Sequence, residues 1–110
     1  MECCQVTTTW PDQAAASRAA ATLVAERLVA CAQVQGPIQS TYVWMGAIEQ
    51  GQEWYCHLKT TTEQLTALKA RIQALHSYEV PEVVALPITG GNEEYLEWIR
   101  TSVGSAARRP

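Results

Sequence analysis

Residues 38–60 read IQSTYVWMGAIEQGQEWYCHLKT, and this stretch decides the fold. Apolar side chains alternate along it, which is the period of a β-strand. Glycine within EQGQ at 49–52 supplies a positive φ and predicts a hairpin turn there. We therefore predict a long hairpin of two strands, 32–48 and 53–60, with a bend or bulge near Gly36-Pro37 in the first.

The residues before the hairpin predict one strand and one helix. Residues 3–10 are rich in Thr and Val and are closed by Pro11, which is typical of a strand. Asp12 is placed to cap the helix that follows. An apolar stripe at helical spacing marks the buried face of this helix, formed by Ala20, Leu23, Val24 and Leu28.

The residues after the hairpin predict a helix, a strand and a last short helix. Thr61 and Gln64 have capping-box spacing at the start of a helix that ends near His76-Ser77. The apolar run 82–88 fits a buried strand. Asn92 is placed to cap the last helix, whose inward side chains are predicted to be Tyr95, Trp98 and Ile99.

The order βαββαβα is that of the split βαβ fold, so we predict an α+β ferredoxin-like antiparallel sheet with both main helices on one face. Residues 1–103 are expected to form a single domain, and residues 104–110 a flexible tail. Both faces of the hairpin carry apolar side chains. Because helices cover only one sheet face in a two-layer monomer, the second face predicts oligomerisation.

Composition and charge exclude several classes of protein. The chain has 110 residues, 47% of them hydrophobic and 17% charged, with a net charge of −3. Its eight basic residues are scattered, which argues against nucleic acid as a partner. No apolar run reaches the roughly 20 residues of a membrane span, and the N-terminus lacks the features of a signal peptide. We predict a cytoplasmic protein with reduced thiols and no membrane association.

Five motifs follow one another along the chain and resemble those of the CutA family of divalent-cation tolerance proteins. They are Leu28-Val29-Ala30-Cys31, Ser40-x-Tyr42-x-Trp44-x-Gly46-x-Ile48-Glu49, Leu58-Lys59-Thr60, His76-x-Tyr78-Glu79-Val80-Pro81-Glu82, and Leu86-Pro87 followed by Gly90, Tyr95-Leu96 and Trp98. The resemblance implies a ferredoxin-like subunit in a homotrimer similar in shape to the PII signalling proteins, with the hairpin pairing between subunits. It also implies a role in tolerance to copper and other divalent cations.

The resemblance also suggests where a metal would bind. The family's ligands include a cysteine near the end of the first strand and a histidine just before a Pro-Tyr motif. This chain has Thr8 at the cysteine position, His76 at the histidine position and Ser77 in place of the proline. We therefore expect His76, with an acidic neighbour such as Glu82, to bind copper or another divalent cation.

A second group of motif residues is predicted to line a cleft between subunits. Lys59, Tyr78, Glu79 and Glu82 supply polar groups, and Trp44 supplies an apolar wall. The alternative is that these side chains form an ion pair and hydrogen-bonded strut that holds the trimer together.

The cysteines allow two interpretations. Cys3 or Cys4, with Cys56 and His57, would give a soft site for copper(I) if the first and third strands are neighbours. However, adjacent residues of a strand point to opposite faces, so Cys56 and His57 diverge. Buried packing is the alternative, and it is also the prediction for Cys31.

Three functions compete at this point. The first is a non-enzymatic protein that binds cations and confers tolerance to them. The second is a PII-like signalling or scaffold trimer that binds a small ligand or a protein partner at its clefts. The third is an enzyme using Lys59, His76 and Glu82 as acid and base groups, but no nucleophile motif or cofactor fingerprint supports it. We predict no enzymatic activity.

Overall fold

The computed structural model describes residues 2–104, and over this range it contains four strands and three helices. In chain order they are β1 (Cys3–Trp10), α1 (Gln13–Ala25), β2 (Cys31–Trp44), β3 (Ala47–Thr61), α2 (Leu65–Leu75), β4 (Val83–Pro87) and α3 (Glu93–Ser102). The strands form one antiparallel sheet in the order β2-β3-β1-β4. This confirms the predicted α+β fold, whose sheet order is the ferredoxin-like one.

The two faces of the sheet are covered differently. Alternate residues of β1 point to opposite faces. Cys4 and Val6 pack with buried residues of α1 and α2, whereas Cys3 packs with Leu96 and Ile99 of α3. The two main helices therefore share one face, as predicted, and α3 covers part of the other.

The turn of the hairpin lies at Met45-Gly46, so the prediction of a turn at 49–52 is wrong. Met45 has φ of 50° and Gly46 has φ of 79°, which suits a two-residue turn that needs positive φ at both positions. Gly51 lies within β3, opposite Ser40. The predicted bulge near Gly36 is confirmed, because the pairing register shifts between Gln35 and Ile38.

The helix starts were predicted with mixed success. Asp12 caps α1 by accepting a 2.8 Å hydrogen bond from the Ala15 amide, and Asn92 caps α3 by accepting one of 3.0 Å from the Glu94 amide. The capping box at Thr61 is wrong: a short 3₁₀ turn, Thr62–Gln64, precedes α2, and the Thr61 side chain makes no capping bond. Thr61 still belongs to β3, where its side chain is fully buried.

The prediction for the inner face of α3 is only partly confirmed. Ile99 is buried as expected, but Tyr95 and Trp98 are 42% and 44% exposed. Leu96 faces the sheet instead, one turn before Ile99. One position along a helix rotates a side chain by about 100°, so Tyr95 and Trp98 lie beside the buried stripe of Leu96 and Ile99 and stay partly exposed.

The last described residue, Gly104, is hydrogen-bonded to the residues that follow α1. The Gly104 amide donates a 3.0 Å hydrogen bond to the carbonyl of Arg27. The rest of the predicted flexible tail, residues 105–110, lies outside the described residues. Within residues 2–104, no helix combines the length and the apolar character needed to cross a membrane.

Candidate functional site

A cavity of about 740 Å³ lies between the hairpin and the loop that follows α2. One wall is formed by residues 38–44 of β2 and by Glu49, Glu53 and Tyr55 of β3, and the other by residues 78–82. Its lining combines four carboxylates, Glu49, Glu53, Glu79 and Glu82, with four aromatic rings, Tyr42, Trp44, Tyr55 and Tyr78. We call this cavity the acidic cleft.

The register of the hairpin places acids and rings on the same wall. Glu49 lies directly opposite Tyr42, and Glu53 lies opposite Ile38. Directly opposed residues of an antiparallel pair point to the same face, with Cβ atoms roughly 5 Å apart. Tyr42 and Glu49 are therefore neighbours on one strand wall of the acidic cleft.

Tyr78 joins the loop wall to the strand wall. Its hydroxyl donates a 2.9 Å hydrogen bond to Oε2 of Glu53. Burial and the neighbouring Glu53 carboxylate together raise the pKa of Tyr78 to about 12. The hydroxyl therefore stays protonated at neutral pH and remains a donor to Glu53.

His76 holds the base of the 78–82 loop. Its Nε2 donates a 2.6 Å hydrogen bond to the carbonyl of Thr9, and its Nδ1 accepts one of 3.1 Å from the Tyr78 amide. The ring also stacks on Trp10, with centroids 4.0 Å apart. The two partners assign the neutral tautomer with the proton on Nε2, because a carbonyl only accepts and an amide N–H only donates.

The acidic cleft lacks basic residues. None of its lining residues is Lys, Arg or His. Among residues 2–104, the ion pairs that form are Arg71 with Glu26 and Arg100 with Glu97, both outside the cleft. Glu53 accepts a hydrogen bond from the Tyr78 hydroxyl, and none of the ion pairs within residues 2–104 involves Glu49, Glu79 or Glu82. The cleft is therefore a region of concentrated negative charge.

The structure brings together most of the predicted cleft residues. Trp44, Tyr78, Glu79 and Glu82 all line the cavity, but Lys59 does not. Its Nζ donates a 3.1 Å hydrogen bond to Gln33, and it lies six residues along β3 from Glu53, a distance of roughly 20 Å. Lys59, His76 and Glu82 therefore do not converge as the enzyme hypothesis requires.

The metal role predicted for His76 and Glu82 stays a prediction. Glu82 lines the acidic cleft, but His76 lies behind it with both ring nitrogens engaged in hydrogen bonds. Thr8, at the family's cysteine position, is fully buried opposite Cys56. No three His, Cys, Asp or Glu side chains in the described range are grouped closely enough to hold a metal ion.

The soft copper site, one of the two interpretations of the cysteines, is not assembled among the described residues. Cys4 pairs with Thr60 and Cys56 with Thr8, so the two thiols are four residues apart along the strands, roughly 13 Å. His57 points to the other face, where its ring bonds Thr7 and Gln35.

Burial explains the cysteines better. It raises the pKa of Cys56 to about 11 and also raises the pKa of Cys4. The Cys3 thiol donates to the carbonyl of Leu96. Cys31 departs from the packing prediction, because it is only partly buried and its Sγ lies 3.6 Å from the hydroxyl of Tyr95.

Sequence reasoning missed Glu49, Glu53, Tyr42 and Tyr55 as cleft residues. The signal that would have found them is the hairpin register. With the turn placed at 49–52, Glu49 belongs to the turn and has no partner across the strands. With the turn at Met45-Gly46, the same residue falls opposite Tyr42 and the acidic wall becomes visible.

Comparison with known proteins gives consistent matches along the chain. A family model described as CutA1 divalent ion tolerance protein matches residues 4–102. The divalent-cation tolerance protein CutA of Thermus thermophilus is 46% identical over 96 residues, which span 87% of this chain and 93% of that relative. A solved structure of Cut A1 from the same organism superposes with a TM-score of 0.91 at 44% identity, covering 93% of this chain and 99% of that one.

A plant relative is longer. The chloroplastic protein CutA 1 of Oryza sativa is 42% identical over 94 residues, which span 86% of this chain but 53% of the relative. This chain therefore corresponds to about half of the plant protein's length.

Proposed function

Because the chain belongs to the CutA1 family of divalent ion tolerance proteins, we propose that it contributes to cation tolerance as a non-catalytic homotrimer that binds copper(II) or another divalent cation weakly in the acidic cleft. The observation that carries the proposal is the cleft itself, whose lining includes four glutamates and no lysine or arginine. Such a region attracts cations by its field.

The proposed binding is weak for a structural reason. Tight metal sites need several ligands at fixed short distances, and no such group occurs within residues 2–104. A cation in the acidic cleft would keep most of its water and would be held by charge. Carboxylate oxygens suit manganese and magnesium as well as copper, so we expect modest selectivity.

Exposed apolar side chains at the hairpin tip and on the edge strand β4 support the homotrimer. At the hairpin tip, Val43, Met45 and Ile48 are 72%, 90% and 77% exposed. On the edge strand β4, Val84 and Leu86 are about half exposed. Large apolar side chains that are this exposed are expected to be covered in an assembly. The edge strands β2 and β4 also offer unpaired backbone groups for pairing between subunits.

The test is calorimetric titration of reduced, anaerobic protein with copper(II), zinc(II) and manganese(II), with light scattering on the same sample. We expect a trimer that binds at least one of these ions saturably in the micromolar to millimolar range. Glu82→Gln should weaken binding severalfold, whereas Glu63→Gln, which changes an exposed carboxylate outside the cleft, should not. An intact trimer that binds none of the three ions contradicts the proposal.

Titration of His76→Ala addresses the ligand predicted from the family. If His76 is a ligand, this variant loses binding while its trimer stays intact. If His76 acts only by holding the 78–82 loop, binding weakens together with the stability of the fold, because both of its hydrogen bonds are structural.

A second candidate function is a signalling or scaffold trimer that binds a small ligand. The size of the acidic cleft and its aromatic lining favour it, because small-molecule sites are mostly apolar cavities of about 300–1,000 Å³ with a few polar groups. A thermal-shift screen of metabolites tests it. A melting temperature that no compound moves, together with no partner in a pull-down, removes its support.

The cytoplasmic location of the protein remains a prediction. One plant relative is named as chloroplastic. Fractionation of cells that express the protein from its own gene would locate it.

A further inference from the structure

We propose that the acidic cleft binds a small organic cation that carries an alkylated ammonium group. The inference rests on the second candidate function, that of a small-ligand cleft, and names the chemistry of the ligand. It is carried by the four acidic and four aromatic residues that line the same cavity.

The negative charge of the lining residues indicates the sign of the ligand's charge. Four carboxylates and no basic side chain face one cavity of about 740 Å³. An anion would be repelled there, and a neutral ligand would gain nothing from the charge of the lining. The preferred occupant is therefore positively charged.

The rings fix the kind of cation. Four of the lining residues are aromatic, and two of these pair directly with a carboxylate: Tyr42 lies opposite Glu49, and the Tyr78 hydroxyl bonds Glu53. Aromatic faces attract ammonium groups within about 6 Å of the ring centroid, and quaternary ammonium ligands are recognised in this way. In the single chain Tyr42 and Trp44 are 46% and 51% exposed, and both belong to the hairpin of the proposed homotrimer, so their rings would line a cleft at a subunit boundary.

A bare metal ion would use these groups poorly. Its ligands would have to be oxygen, nitrogen or sulfur atoms at about 2.0–2.6 Å, and no suitable group of three acidic, His or Cys side chains occurs in the described part of the chain. The Tyr78 hydroxyl is already engaged with Glu53. An alkylammonium ion needs no such convergence, because its charge is spread over methyl groups that contact ring faces and carboxylates at longer distances.

The experiment is calorimetric titration with choline and, in parallel, with 3,3-dimethylbutan-1-ol, which has the same shape without the charge. We expect saturable binding of choline and binding of the alcohol at least tenfold weaker. Trp44→Leu should weaken choline binding roughly threefold to thirtyfold. Trp98→Leu is the matched control, because it removes a similarly exposed indole outside the cleft, and it should leave the affinity unchanged.

A second variant is needed because Trp44→Leu could weaken binding simply by disrupting the trimer. Glu49→Gln keeps the side-chain shape, removes one cleft charge and should also weaken choline binding, whereas Glu63→Gln should not. Absence of choline binding by wild-type protein, or equal binding of the neutral alcohol, overturns the inference.

Manganese(II) titration of the same sample separates this inference from the proposed cation tolerance. Binding of manganese without choline overturns the inference and leaves the tolerance proposal standing. Binding of choline without manganese supports the inference and counts against the tolerance mechanism.

Discussion

The indole of Trp10 stacks on the imidazole of His76, with ring centroids 4.0 Å apart and planes inclined by 19°. This stack joins the end of β1 to the loop after α2. Because His76 also bonds the Thr9 carbonyl and the Tyr78 amide, this side chain fixes the start of the loop wall of the acidic cleft.

Replacing His76 by Ala should therefore destabilise the fold. The variant loses the stack and leaves the buried Thr9 carbonyl without its partner, which together should lower the free energy of unfolding by about 2–4 kcal/mol. Urea denaturation measures the change. Ser77→Ala, at an exposed neighbouring position, is the control and should change stability by less than about 0.5 kcal/mol. Equal stability of the two variants would contradict a structural role for His76.

Gly36 and Gly51 should respond differently to Ala. A Cβ at Gly36 would clash with Cδ1 of Trp54, whose ring packs against the core, so the indole must move. Such overpacking costs about 1–3 kcal/mol. A Cβ at Gly51 meets nothing within 4 Å, so this variant should be neutral or slightly more stable. Thermal unfolding of both variants decides the matter, and similar melting temperatures would show that Gly36 is not needed for close packing.

One thiol of the four should react in the native protein. Cys3, Cys4 and Cys56 are buried, and burial raises the pKa of Cys56 to about 11, so little thiolate is present at pH 8. Cys31 is partly exposed. Ellman's reagent should therefore label about one thiol per native chain and four after denaturation, and Cys31→Ser should abolish the native reaction. Rapid labelling of two or more native thiols would show that the core opens readily.

Tyr78 should make the protein sensitive to alkaline pH. Its pKa rises from 10 to about 12 in the folded state, so the folded chain holds this proton more tightly than the unfolded chain. The resulting stabilisation is complete below pH 10 and is lost as the pH rises toward 12. Tyr78→Phe should show a shallower loss of stability across this window.

Urea denaturation at several pH values compares wild type with Tyr78→Phe. The Cys56 thiol, with a pKa of about 11, titrates in the same window in both proteins, so only the difference between them reports on Tyr78. Parallel pH profiles would contradict the raised pKa of Tyr78 that burial and the Glu53 carboxylate together produce.

The sequence predicted the elements and their order because strand and helix periods are local properties. The hairpin turn was misplaced for a reason that is also local: both Gly46 and Gly51 can adopt positive φ, and only the pairing of β2 with β3 selects Gly46. Tyr95 and Trp98 were assigned inward because they are large and aromatic. The packing of Leu96 and Ile99 against Cys3, a contact between distant parts of the chain, sets the rotation of α3.

The acidic cleft was only partly predictable. Motif residues indicated Trp44, Tyr78, Glu79 and Glu82, which the structure brings together. The partner of Tyr78 could not be inferred, because Glu53 is 25 residues away and meets it only when the loop after α2 folds back onto β3. Lys59 shares a motif with other family residues, but its position along β3 puts it beside Gln33.

The most direct test of the account is to locate a bound cation by nuclear magnetic resonance. Manganese(II), which is paramagnetic, broadens the amide signals of nearby residues when it is added in small amounts to ¹⁵N-labelled protein. We predict selective broadening in residues 49–53 and 78–82, the two acidic segments of the cleft, and its reduction in Glu82→Gln. Broadening centred elsewhere in the fold, or uniform across it, would contradict the claim that the acidic cleft is the cation site.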